Sequence, residues 1–194
     1  MGNVHTYEYA LGEYNRWREE LETIFKTPGV NELFDYINER GFTELPASLN
    51  HHLNYRGGLL MHSVNVAASL IDLTESLGLI WMRHESPILV GLLHDLCKLE
   101  FYKTKTNYDP RGGETVRFEH NDNPELDFGG HGMLSLVIAQ QHIQLTEEEM
   151  YCIRFHMGAY EQKDWSKFDA AIKKYPNVLY THTADMIASK ILEG

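Results

Sequence analysis

The sequence predicts an all-α protein, and three observations carry that expectation. Apolar residues recur at helical spacing along most of the chain. Caps and prolines open the apolar stretches and glycines close them. No series of alternating strands separated by tight turns is present. Taken in order, residues 13–26 place Trp17, Leu21, Ile24 and Phe25 on one side of a helix. Thr27-Pro28 reads as an N-cap followed by proline at the first helical position, and Gly41 ends that second, short helix. Residues 42–58 form a polar connector closing on Arg56-Gly57-Gly58, and a long apolar helix follows from about Leu59 to Leu77, stopped by Gly78. Ser86-Pro87 opens a helix expected to continue through residues 88–101. Helix signals return at 130–142, after Thr146 (which makes a capping box with Glu149), and at 166–174 and 177–192, split by Pro176. Residues 99–128, with Pro110, Gly112, Gly113 and Pro124, lack helical periodicity. Connections beyond about 12–15 residues are uncommon, so this stretch is either a functional lid or a small hairpin.

Composition bounds the function. The chain has 194 residues, one domain's worth, with 17 basic against 28 acidic side chains and a net charge of −11. Such a surface repels a phosphate backbone and argues against stable polynucleotide binding, while leaving room for a small phosphorylated ligand in a locally basic cleft. Cys97 and Cys152 are too few for a disulfide framework and read as small core residues of a reduced, cytoplasmic protein. The N-terminus has no apolar leader, its Gly2 is a poor myristoylation start, and no apolar run is long enough to span a membrane. Residues 1–44 are expected to form a helical segment packed on a core of residues 45–194.

The chemistry lies in polar residues that do not suit the helices holding them. Leu89, Val90, Leu92, Leu93, Leu96, Cys97 and Leu99 surround the helix that carries His94, Asp95 and Lys98. A buried carboxylate without a partner costs several kcal/mol, so Asp95 requires one. Successive helical residues point about 100° apart, so His94 and Asp95 can share an ion only beside the helix, next to Lys98. His62 and Asp185 lie in two further apolar helices, His131 opens one after Gly129-Gly130, and His156 closes one. Taken singly, each fits a structural role: a satisfied core histidine, a solvated helix start, a cation at a helix C-terminus, a buried acceptor. Imidazoles and carboxylates on five helices together are the donor set of a mixed nitrogen and oxygen transition-metal site.

The order His62, His94-Asp95, His131, His156, Asp185 resembles the HD-domain superfamily of metal-dependent phosphohydrolases. His131 and His156 match the extra histidines of its binuclear members. Asn50-His51-His52-Leu53-Asn54-Tyr55-Arg56-Gly57-Gly58-Leu59-Leu60-Met61-His62 resembles the lead-in of bacterial HD hydrolases related to a 3′–5′ exoribonuclease. His94-Asp95-Leu96-Cys97-Lys98 resembles the HD-x-x-K segment, with Cys97 where glycine is usual. The resemblance covers roughly residues 45–190 and implies an all-α HD-domain bundle around a metal site. It further implies one or two divalent transition metal ions (Fe, Mn, Ni, Co or Zn, with Mg possible) and cleavage of a phosphate ester by a metal-bound hydroxide. His62, His94, Asp95 and Asp185 are then expected to hold a first ion, and His131, His156 and a bridging Asp95 a second. Lys98 is expected to steady charge on the phosphoryl oxygens, with His52 and Arg56 as further phosphate contacts. His120 and the 99–128 stretch are candidates for substrate selection or leaving-group protonation. His51, His84, His142 and His182 are read as structural or surface residues, with His182 a possible partner of Asp185. The short segment ahead of the core is not expected to be a nucleic-acid-binding domain, so the expected substrate is a small phosphorylated metabolite, a nucleotide first among them, whether monoester or diester. A di-iron oxygenase with the same donors and a non-catalytic, metal-stapled nucleotide-binding module are the rival readings.

Overall fold

The computed structural model describes residues 6–25, 28–108, 111–126, 129–160 and 165–194. In chain order they form α1 (Tyr7–Phe25), α2 (Pro28–Glu39), α3 (Gly58–Leu77), α4 (Ser86–Leu93), α5 (Lys98–Phe101), the strands β1 (Tyr102–Tyr108) and β2 (Glu114–His120), α6 (His131–Gln140), α7 (Glu147–Phe155), a 3₁₀ turn (Gly158–Tyr160), α8 (Trp165–Lys174), α9 (Asn177–Ile187) and a π turn (Ala188–Leu192). The all-α expectation holds. The Thr27 cap and the Gly2 start lie outside the described residues.

Helix α3 is buried on nearly every side of its first three turns, because Leu59, Leu60, Met61, Val64, Val66, Ala67 and Leu70 leave no polar stripe. It packs against α1, α4 and α9. Gly91 sets the α3–α4 approach: a Cβ there would lie 2.4 Å from the Ala67 Cα, so only hydrogen lets the backbones come this near. Gly132 plays the same part between α6 and α7, where a Cβ would meet the Arg154 carbonyl oxygen at 2.2 Å. Tyr14, Trp17 and Leu21 of α1 and Leu33, Phe34 and Ile37 of α2 belong to the same hydrophobic core as α3 and α4.

The expected continuous helix over 88–101 is broken. α4 ends at Leu93 and α5 begins at Lys98. Between them the backbone tightens to three-residue spacing, with Leu96 N–H to the Leu93 carbonyl, Lys98 N–H to Asp95 and Leu99 N–H to Leu96. This turn carries Asp95 directly after His94, whose own N–H still bonds the Val90 carbonyl.

The stretch after α5 is a hairpin, not an unstructured lid: β1 and β2 pair antiparallel from Tyr102 opposite His120 to Tyr108 opposite Glu114. Buried Glu100 anchors its base, accepting from Arg40 at 2.7 Å and from the Glu125 N–H at 2.8 Å. Thr146 and Glu149 form the expected capping box at the start of α7. Among the described residues no helix is long and apolar enough to cross a membrane.

Candidate metal centre

Four segments bring their polar side chains to one point. α3 supplies His62 from its second turn, the α4–α5 turn supplies His94 and Asp95, the residue after α7 is His156, and α9 supplies Asp185. His62 Nε2 lies 3.2 Å from His94 Nε2, 3.5 Å from Asp95 Oδ2 and 3.3 Å from Asp185 Oδ1. His94 Nε2 is 3.5 Å from Asp95 Oδ2, and His156 Nε2 is 3.6 Å from Asp95 Oδ1. His94, His156 and Asp185 also come together with ligand atoms within 4.8 Å of one another. His131, at the start of α6, joins from the other side, grouped with Asp95 and Cys97 within the same distance.

The other ring nitrogens explain why this cluster is unusual. His94 Nδ1 is 2.8 Å from the Gly91 carbonyl, His156 Nδ1 is 2.8 Å from the Ile153 carbonyl, and His62 Nδ1 is 3.1 Å from Glu193 Oε2. A carbonyl or carboxylate only accepts, so each Nδ1 carries a proton, and in the neutral form of each ring the Nε2 lone pair points inward. Lone pairs at 3.2 Å repel unless a proton or cation lies between them. His156 Nε2 is buried with no hydrogen-bond partner among the described residues. The donor set, imidazole nitrogens with carboxylate oxygens, suits a divalent transition metal. The residues therefore fit such an ion.

Without a cation the cluster compensates through protons. Burial works to neutralise His62, but Glu193 and Asp185 outweigh it and push its pKa up to about 10. Burial, reinforced by neighbouring His156 and His62 and opposed by Asp95, brings His94 down to about 4. Asp95 resists the effect of burial and stays well below the usual carboxylate range, held there chiefly by Lys98 and His94. Lys98 Nζ sits 2.6 Å from Asp95 Oδ2 and also donates to the Ala47 carbonyl; burial opposes its charge, and Asp95 raises its pKa despite that.

The cluster opens into a cavity of about 410 Å³ lined by His62, Asp95, Lys98, His131 and Asp185. His52 lines it too, its ring centroid 5.0 Å from that of His62, and burial with the nearby His62 lowers its pKa to about 4. Arg56 is a correction to the sequence reading. Its side chain is 74% exposed, pairs with Glu44 and lines a separate groove beside β2, because the connector turns it outward before α3 begins. Two histidines read as structural or surface, His51 and His182, line the cavity, and His182 Nδ1 bonds the His156 carbonyl at 2.8 Å rather than Asp185. His120 sits at the hairpin base against the Tyr102 ring. Sequence reasoning missed Glu193, which the π turn carries back against α3, where Asn65 also donates to it at 2.9 Å. Asn65, a buried amide three residues after His62, was the available signal; Glu193 itself gave none.

Comparison with known proteins gives one relative of stated activity. The chain is 28% identical to the dihydroneopterin 2′,3′-cyclic phosphate phosphodiesterase of Methanocaldococcus jannaschii, over 76% of this chain and 53% of the relative. The chain thus spans about half the length of that protein. No family model matches the chain, and no solved structure matches it.

Proposed function

We propose that the chain is a metal-dependent phosphoesterase that hydrolyses a phosphodiester of a small metabolite. The observation that carries this reading is the inward convergence of the His62, His94 and His156 Nε2 atoms on Asp95 and Asp185. His62, His94, Asp95 and Asp185 would hold one divalent ion, with His131 and His156 extending the set toward a second through Asp95. The order of these residues resembles the HD-domain superfamily, and the printed activity of the archaeal relative supports a phosphate diester as the substrate class.

A bound divalent ion supplies Lewis acidity and lowers the pKa of water toward neutrality. The chain's own residues do the rest. Asp95, held ionised beside Lys98, offers its two oxygens to the two halves of the cluster. Lys98, pinned by Asp95 and the Ala47 carbonyl, presents a fixed positive charge at the cavity wall for the phosphoryl oxygens. Lys190 lines the same cavity and favours an anionic group, His52, largely neutral at pH 7, offers an uncharged hydrogen-bonding ring, and Met157, Tyr160 and Met186 offer an apolar wall for the remainder of the metabolite. In the overall reaction a water oxygen bonds to phosphorus, one P–O ester bond breaks, and the departing oxygen takes up a proton.

The test is elemental analysis of protein purified without chelator, followed by hydrolysis of cyclic diesters, linear diesters and monoesters with added manganese, nickel, cobalt and iron. Diester cleavage that depends on the metal is the expected outcome. Substrate-dependent oxygen uptake without ester cleavage, or no cleavage with any metal, would overturn the reading.

A further inference from the structure

The two carboxylate oxygens of Asp95 face different neighbours. Oδ2 is turned to His62, His94 and Lys98, and Oδ1 to His156 and to the Cys97 thiol, whose Sγ lies 3.9 Å away. Cys97 is fully buried, and its backbone N–H donates to Ser135 Oγ at 3.0 Å. Ser135 follows His131 by four residues on α6, so both stand on one face of that helix. That bond ties the turn holding Cys97 to the face holding His131. Asp95, Cys97 and His131 accordingly bring an oxygen, a sulfur and a nitrogen within 4.8 Å of one another.

We propose that Cys97 is a thiolate ligand that, with Asp95 Oδ1 and His131, makes a second metal position selective for soft or borderline ions. The proposal rests on the metal reading of the neighbouring cluster. Metal–sulfur and metal–oxygen bonds to zinc are about 2.3 and 2.1 Å, together more than the 3.9 Å between Sγ and Oδ1, so one ion can touch both atoms. It would take the place of the thiol proton now directed at Asp95: the S–H bond breaks, a sulfur–metal bond forms, and the proton passes to buffer. Thiolate favours zinc, cobalt and iron over magnesium, so this position discriminates between metals that an oxygen-only site would admit together.

The experiment is cobalt(II) titration of the full, metal-stripped chain, followed by absorption spectroscopy and by zinc and magnesium competition. The expected result is a thiolate-to-cobalt charge-transfer band in the near ultraviolet, displaced by zinc and not by magnesium. Cys97→Ser should lose the band and bind the later cobalt equivalent at least about tenfold more weakly, while Cys152→Ser keeps it. The wild-type and Cys152→Ser spectra together decide the matter even where Cys97→Ser fails to fold. Cobalt binding without the band, or a band that follows Cys152, overturns the assignment of Cys97 alone. Absence of any cobalt binding overturns it together with the metal reading.

Discussion

The Glu148–Glu149 pair at the start of α7 and Asp95 in the turn after α4 are buried carboxylates with neighbours that differ in kind. Glu149 accepts from Ser86 Oγ at 2.8 Å, Arg83 at 2.8 Å and the Thr146 N–H at 2.7 Å. Glu148 accepts from the Met82 N–H at 2.7 Å and Asn177 at 2.9 Å. Every contact there runs from a donor to an acceptor, and it fastens α7 to the segment before α4 and to α9. Around Asp95, among the described residues, Lys98 is the charged donor and the Cys97 thiol a weak one at 3.9 Å, and the other neighbours are imidazole nitrogens at 3.5–3.6 Å whose Nδ1 protons are committed elsewhere. Burial alone therefore does not separate a structural carboxylate from a candidate metal ligand. The balance of donors and acceptors does, because an excess of acceptors in a low-dielectric interior is stable only with added protons or a cation.

That contrast can be broken at either end. Glu149→Ala strands the Ser86 hydroxyl and the Arg83 guanidinium, and is expected to cost about 3–5 kcal/mol of stability in denaturant unfolding with metal content unchanged. A loss of metal with full stability would reverse the assignment of the two clusters. Asp95→Asn keeps the shape but removes the shared charge; metal affinity by calorimetry should fall by more than about 100-fold, beyond what loss of an outer partner produces. Glu193→Gln weakens the hold on His62 Nδ1, and the same measurement should give a drop of about 10–100-fold with little change in melting temperature.

The metal-free protein adds a pH dependence of definite sign. His62 stands at about 10 when folded against 6.5 ordinarily, so its contribution to stability is fully present below about pH 6.5 and is lost as pH rises through 10. Metal must displace that same proton, so its affinity should rise by about tenfold per pH unit across this window and then level off. A pH-independent affinity would remove His62 from the ligand set. Arg56→Ala, outside the cavity, should leave both activity and melting temperature unchanged.

Much of this was legible in the residues. Helical spacing placed most helices to within a few residues, since apolar periodicity reports which face is buried. His62, His94, Asp95, His156 and Asp185 stood out because each is a polar group in or beside an apolar helix, and the structure brings them together. Arg56 was misplaced because a lead-in motif says nothing about which way a loop turns. The hairpin was only half foreseen: β1 and β2 are mostly exposed and rich in charge, so their alternation leaves little apolar trace.

What the sequence determined by itself was the all-α class and the identity of the polar residues that a core would not tolerate singly, both consequences of local periodicity and the cost of burial. Tertiary structure alone decided the break after Leu93, the return of Glu193 to His62 across 131 positions, and the pairing of Cys97 with His131. Those relations are set by how α3, α6 and the π turn pack. No local pattern encodes the direction in which a side chain points once three separate segments meet.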